Sequence, residues 1–199
     1  LGIFDTIREE KPHIVVTGWK GWTVTKDKLL GQTLDPLTRN APCDLAVVKL
    51  REFDKEIKSI FIPTAGGPHA HFAFSLGVEL AAYYQARLVL GMVVPAEGTP
   101  EQESEAGEVM QELASDLREG RTPLIEKKLL RSDSITAALI KESNNHSLTL
   151  IGASNQSIWE QLRLGSVPET VSRRSANTVV IVRKYEGRVK SWVRRFFSG

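Results

Sequence analysis

Short, continuously apolar stretches alternate with longer mixed ones along this chain, and that alternation predicts its elements. Residues 58–65, KSIFIPTA, read as a buried strand ended by Pro63-Thr64, and Gly66-Gly67-Pro68 is a turn signal. Residues 69–86 are rich in helix formers, with Phe72, Leu76, Leu80 and Tyr83/Tyr84 on one side. Residues 87–94, RLVLGMVV, are a second buried strand. Residues 100–120 form an acidic helix that Thr99 caps, Pro100 begins and Gly120 stops, with Val109, Leu113 and Leu117 as its apolar stripe. Residues 123–131 alternate imperfectly as a strand, Ser134 caps a helix to about His146, and 147–153 are a strand. A helix over 166–176 and a strand over 177–184 complete the order β-α-β-α-β-α-β-loop-α-β. Strands apolar throughout, separated by helices, imply a parallel sheet covered on both faces, with right-handed crossovers.

Residues 1–50 repeat only the last part of that order: a helix over 1–11, a strand over 12–19, a helix over 32–41 and a strand over 43–50. A shift of 134 aligns 13–50 with 147–184 without a gap. Only five identities support the alignment, Gly18/Gly152, Leu30/Leu164, Gly31/Gly165, Arg39/Arg173 and Val48/Val182, so the order of elements and the glycine placement carry it. The charged stretch 51–57 is a linker, 58–185 a complete domain and 186–199 a basic tail. Two strands and two helices alone would leave a strand edge and apolar helix faces bare. The polypeptide is therefore expected either to continue upstream of Leu1 or to pack its first part on the second.

The glycines add chemistry. Gly18, Gly21 and Gly31 make G-x2-G-x9-G, and Gly152, Asn155 and Gly165 make G-x2-N-x9-G followed by Ser166. Each set ends a strand, crosses a loop and opens a helix. A phosphate needs backbone N–H donors and little obstruction; glycine permits the close approach, and a helix N-terminus adds unpaired donors and a favourable dipole. Asn155 enters the left-handed region more easily than most residues. Ser166-Val-Pro-Glu169 is also a capping box, so Ser166 either donates to a phosphate or satisfies its own helix. In the first set Gln32 follows Gly31, Asp35 opposes a phosphate from the first helical turn, and Trp19 and Trp22 crowd the loop, so the second set is the stronger site.

Composition excludes more than it assigns. No apolar run reaches the length of a membrane span. The net charge of +2 is more than accounted for by Arg188, Lys190, Arg194 and Arg195 in the tail, so the body is no nucleic-acid surface. As a helix, the tail places Val189, Trp192/Val193 and Phe196 together. That suits an anionic membrane surface, a partner helix, or docking on the protein itself. Cys43 alone forms no internal disulfide and is expected to be a buried structural thiol. His13, His69, His71 and His146 lack a metal-ligand set, and no catalytic triad can be singled out. The chain opens on Leu1 rather than Met, and a fragment or processed chain is expected.

PTAGG at 63–67 after the first strand, and IGASN…LGSVPETV from 151 to 171 before the last, make the chain resemble the universal stress protein family. The likeness covers 58–185 as a complete domain and 1–50 as the closing part of another. Nucleotide-binding members use G-x2-G-x9-G-[S/T] for ATP phosphates. Gly152, Gly165 and Ser166 match it and Asn155 departs; Gly18, Gly21 and Gly31 match it and Gln32 departs. Ala65 stands where the family often carries Asp beside the adenine and ribose. Val93 and Val94 offer an adenine wall, or are ordinary core.

The resemblance implies a doubly wound α/β fold with a five-strand parallel sheet in the order 3-2-1-4-5, helices on both faces, and a partial N-terminal repeat. It implies a regulatory ATP-binding module, with Mg, rather than an enzyme. Its cofactor site would comprise Pro63, Thr64, Ala65, Val93, Gly152, Asn155, Gly165, Ser166 and Val167, with no catalytic or metal-ligating residue. The alternative is a dimerisation or interaction module of the same fold that binds no nucleotide. A PTAGGP loop and a basic aromatic tail are also similar to soluble regions appended to bacterial membrane transporters. Expected partners are a second copy, or the other repeat as an intrachain pseudo-dimer through 43–50 and 177–184. A membrane surface or transporter is expected at residues 187–199, and no nucleic acid. The expected location is cytoplasmic, as a free protein or as the cytoplasmic domain of a membrane protein.

Overall fold

The computed structural model describes residues 2–20, 34–51, 56–115, 123–153 and 167–187. In chain order its elements are α1 (Ile3–Glu10), β1 (Ile14–Gly18), α2 (Leu34–Asn40), β2 (Asp44–Lys49), β3 (Ser59–Pro63), α3 (Pro68–Tyr84), β4 (Arg87–Val94), α4 (Pro100–Ser115), β5 (Ile125–Arg131), α5 (Ile135–Ser143), β6 (Leu148–Gly152), α6 (Val167–Arg174) and β7 (Thr178–Arg183). Among the described residues seven strands form one sheet, ordered β1-β2-β7-β6-β3-β4-β5. Its last five run in the expected order, and β1 and β2 extend it beyond β7. All neighbours are parallel except β2 and β7, which are antiparallel.

Successive side chains of a strand point to opposite faces, so each strand feeds two cores. Ile60, Ile62, Leu88, Leu90, Leu148 and Leu150 pack with Phe74 of α3 and Met110 and Leu113 of α4. Phe61, Val89, Ile151, Val179 and Ile181 pack on the other face with Ile7, Leu37, Leu139 and Val171 from α1, α2, α5 and α6. Because both faces are covered, β3 is buried at every position. α3 comes close to the sheet through small residues, Ala70, Ala73, Gly77 and Ala81; a Cβ on Gly77 would run into Ile62, Leu88 and Leu150. Cys43 is buried, and burial pushes its thiol pKa up, as befits an inert structural thiol.

The 134-residue offset of the sequence persists in the sheet. Val47 and Ile181, which stand 134 apart, are direct partners across the antiparallel β2–β7 junction. A local two-fold axis therefore passes through that pair, and the hydrogen bonds around it are reciprocal. Lys49 Nζ donates to the carbonyls of Ser172, Arg173 and Ser175 at the end of α6. Arg183, its counterpart, donates from Nη2 to Ala41 O at 2.6 Å and Cys43 O at 2.9 Å, beyond the end of α2. Each cation thus satisfies helix-end carbonyls that have no intrahelical donor. Likewise Arg51 N donates to Thr178 Oγ1 at 3.1 Å and Tyr185 N to Asp44 Oδ1 at 2.8 Å.

The first part therefore does pack on the second, but β1 departs from the buried strand that HIVVTG predicts. Val16 is 64% exposed, whereas Leu150, its counterpart on β6, is fully buried beneath α3. Among the described residues no helix covers that face of β1, and only β2 pairs with it. The counterparts of β3 and α3 are what β1 lacks.

Candidate functional site

β3 and β6 separate as they run toward their carboxyl ends. Their pairing covers only Ile60↔Leu148 and Phe61↔Thr149, while β3 stays with β4 as far as Pro63↔Gly91. Connections leave β3 toward β4 in one direction and β6 toward β7 in the other, which makes this the switch point where doubly wound sheets open a crevice. Pro63 has no N–H to offer a ladder, so it is a natural final residue for β3 here.

A cavity of about 510 Å³ fills the crevice. Six of the nine site residues expected from sequence line it: Pro63, Thr64 and Ala65 after β3, Val93 in β4, Gly152 at the end of β6 and Val167 at the start of α6. Asn155, Gly165 and Ser166 lie outside the described residues, as do Gly21, Gly31, Gln32 and residues 188–199 of the tail. Met92, Ile135, Leu139 and Ile151 add an apolar wall that sequence reading did not assign. The contribution of Ile135 and Leu139 depends on α5 folding back over the crevice, which no local pattern encodes.

Local chemistry explains the loop after β3. Thr64 Oγ1 accepts from Gly66 N at 3.0 Å, closing a tight turn. Gly66 and Gly67 have φ of 79° and 85°, a region that strains other residues, and they aim the chain into α3 with Pro68 at its first position. Gly152 has a nearer neighbour than a ligand: a Cβ there would lie 2.9 Å from the carbonyl carbon of His69 and 3.1 Å from Ala70 N. The glycine thus permits the first turn of α3 to rest on β6. At Gly18, its counterpart, a Cβ would meet nothing within 4 Å among the described residues.

The cavity has no charged side chain among its described lining residues. The first turns of α3 and α6 both border it, and their dipoles favour an anion, although at α3 Pro68 has no N–H and Ala70 N and His71 N already donate to Gly67 O. Next to Pro168 stands Glu169, buried, with Oε2 lacking a hydrogen-bond partner. Burial raises its carboxyl pKa to about 7; Asp35 adds to the rise, while its own backbone amide and Arg173 oppose it. Near the end of α5, buried Glu142 accepts from Lys128 at 2.7 Å and meets His146 Nε2 at 3.1 Å, and the His146 ring stacks on Phe61. Burial alone would raise the Glu142 pKa, yet Lys128 and His146 together hold it below the usual range.

A larger cleft of about 740 Å³, bordered by Phe4, Arg8, His69, Arg183 and Lys184, contains none of the expected site residues. Its Arg183 and Lys184 are engaged by carbonyls and by Asp44. Among the described residues no three His, Cys, Asp or Glu side chains are grouped to hold a metal, and no helix is long and apolar enough to cross a membrane.

Fold and crevice define a doubly wound α/β protein with a ligand-sized cavity at its switch point. Comparison with known proteins narrows that class. The sequence model of the universal stress protein family matches residues 2–49 and 56–183, and the chain belongs to that family. Among solved structures, a universal stress protein from Archaeoglobus fulgidus DSM 4304 is 18% identical, with a TM-score of 0.63 over 92% of this chain and 65% of its own. A universal stress protein in complex with cAMP is 21% identical, with a TM-score of 0.55 over 65% of this chain and 99% of its own. At these identities the likeness is one of fold. The Na(+)/H(+) antiporter NhaS5 of Synechocystis sp. is 23% identical over 90% of this chain, which spans only 26% of the antiporter's length.

Proposed function

We propose that the chain is a regulatory adenine-nucleotide-binding module, with ATP as its ligand, that modulates an attached or associated membrane transporter. The observation that carries this reading is the switch-point cavity, where Pro63, Thr64, Ala65, Val93, Gly152 and Val167 surround a space bordered by two helix N-termini. An apolar wall with few polar groups suits a purine, and helix N-termini suit its phosphates. Val93 and Met92 would hold the base, and the first turn of α6, with Gly165 and Ser166 before it, would hold the phosphates, with Mg accompanying them. Bound nucleotide supplies negative charge and a packing surface. It acts by altering contacts, and turnover is not its purpose. The family relative bound to cAMP supports the ligand class, and the antiporter relative supports the transporter link. The module is read as tandem, with 1–50 and 58–185 forming an intrachain pseudo-dimer about the Val47–Ile181 pair. Its place is the cytoplasmic side, with the basic tail turned to a membrane or transporter.

A second reading is favoured by Ala65, which brings a methyl group into the cavity where a carboxylate would read a ribose. On that reading the module only mediates contacts. Calorimetric titration with Mg-ATP decides between them: saturable binding at one site supports the first, and no heat at millimolar ATP supports the second. Gly165→Val should abolish binding while the fold persists.

A further inference from the structure

The sheet ends in two edges of opposite character. β5 carries Glu126, Lys127, Lys128 and Arg131, and charges on an edge strand discourage further pairing. β1 carries no charge and no proline, and among the described residues only β2 pairs with it. An edge of that kind is a template for another strand.

The internal repeat shows what the template fits. Each position of β1 has its counterpart 134 residues on, in β6, and the two strands end on equivalent bonds. Trp19 N donates to Val48 O at 2.8 Å, and Ala153 N to Val182 O at 2.8 Å. In β6, Leu148 is 5% exposed and Leu150 fully buried, because β3 pairs along that side and α3 packs across that face. In β1, the same two places hold Ile14, 36% exposed, and Val16, 64% exposed. Val48 of β2 is half-buried, whereas its counterpart Val182 is fully buried. Gly152 lacks a Cβ where the first turn of α3 rests, and Gly18 lacks one where nothing described lies within 4 Å. Edge, face and glycine seat are thus bare together, and in the second repeat one unit, β3 with α3, occupies all three.

We propose that β1 and its bare face are a docking surface for a strand–loop–helix unit of the β3–α3 kind, supplied from outside residues 1–199. Its strand runs parallel to β1 and pairs at Ile14 and Val15, the counterparts of Leu148 and Thr149, where β3 meets β6. That strand is apolar at successive positions, because the sheet it extends is covered on both faces. Its helix presents small residues to Val16 and Gly18, as α3 brings Gly77 against Leu150 and Ala70 against Gly152. Burial of the Ile14 and Val16 side chains drives the docking. A second copy of this chain does not fit. Its β3 is buried between β4 and β6, so its own unit is committed, and its β1 brings no helix to Val16 and Gly18.

The test compares the chain alone with a form that has a copy of residues 58–134 joined ahead of Leu1. Leu1 is the counterpart of Ile135, so the join restores the order β3-α3-β4-α4-β5 in front of α1. In the chain alone, Val16→Lys and Gly18→Ala should leave the melting temperature undiminished, and sedimentation should show no association that Val16→Lys abolishes. In the joined form, methyl NMR should show Val16 buried, and the β1 amides that point away from β2 should exchange more slowly. There Val16→Lys and Gly18→Ala should each lower the melting temperature. A Val16 methyl left exposed in the joined form would overturn the proposal. So would a Val16→Lys that destabilises the chain alone, since β1 would then be covered by the chain's own residues. Association of the chain that Val16→Lys abolishes would assign the surface to a second copy and overturn it too.

Discussion

Gly18 and Gly152 end equivalent strands, yet alanine should act oppositely at the two. Neither glycine has a positive φ, so alanine meets no backbone strain at either place and only its added carbon counts. At Gly152 that carbon would lie 2.9 Å from the carbonyl carbon of His69, 3.0 Å from its oxygen and 3.1 Å from Ala70 N. All three are backbone atoms of α3, so no side chain can swing aside. The helix start must lift from β6, at the cost of an overpacked site, about 1–3 kcal/mol. For a chain of this size that is a fall in Tm of roughly 2–12 °C. At Gly18 the carbon meets nothing within 4 Å among the described residues. There alanine should be neutral, or stabilising by up to about 1 kcal/mol through the less flexible unfolded chain. Urea or thermal denaturation of Gly152→Ala and Gly18→Ala measures the contrast directly. Equal effects, or a harmless Gly152→Ala, would refute the packing of α3 on β6.

Three further expectations concern the junction and the buried charges. Lys49→Met and Arg183→Met should each destabilise by about 1–3 kcal/mol by stripping helix-end carbonyls of their donor. Since the two caps lie at opposite ends of the β2–β7 pairing, the double variant should be near additive in urea denaturation. Glu169 has its carboxyl pKa raised from 4.5 to about 7, so its contribution to stability is fully present below the unfolded value and is lost as pH rises through neutrality. The loss is about 3 kcal/mol by linkage, read as the difference between wild type and Glu169→Gln in urea midpoints at low and high pH. Glu142 has the opposite sign: its pKa is held down, its contribution is present at neutral pH, and that contribution disappears as pH falls through its folded pKa. Glu142→Gln should cost about 1–3 kcal/mol near neutrality and nearly nothing in acid.

Much of the architecture was legible because most strands are buried on both faces and so read as unbroken apolar runs. β5 read less clearly for the converse reason: at the sheet edge, only Leu130 among its positions is fully buried. The offset of 134 was visible in the glycines and marked 43–50 and 177–184 as equivalent strands, while their pairing within one chain was one of two arrangements that the family resemblance implied. The β3 loop and the Val93 wall of the cavity were also legible, since TAGGP and the end of an apolar run are local signals. What escaped depends on residues far apart in sequence. Glu169 reads as the acid of a capping box, and its burial comes from packing that its own segment does not encode. No local signal marks Lys49 or Arg183, because it is the antiparallel junction that turns each onto the end of the other repeat's helix. His146 reads as the end of a helix, but it lies buried against Phe61. Gly152 reads as a phosphate glycine, although its tightest neighbour is a helix turn that begins the same domain.

Methyl-resolved NMR during a Mg-ATP titration tests the central claim most directly, because it reports where the ligand sits as well as whether it binds. Met92, Val93, Ile135, Ile151 and Val167 border the cavity, while Ile7 and Leu37 lie elsewhere in the core. A nucleotide at the switch point should shift the first group with saturation at one equivalent and leave the second unmoved. Cavity methyls that stay still at millimolar ATP, or shifts gathered instead around Ala41 in the larger cleft, would contradict it.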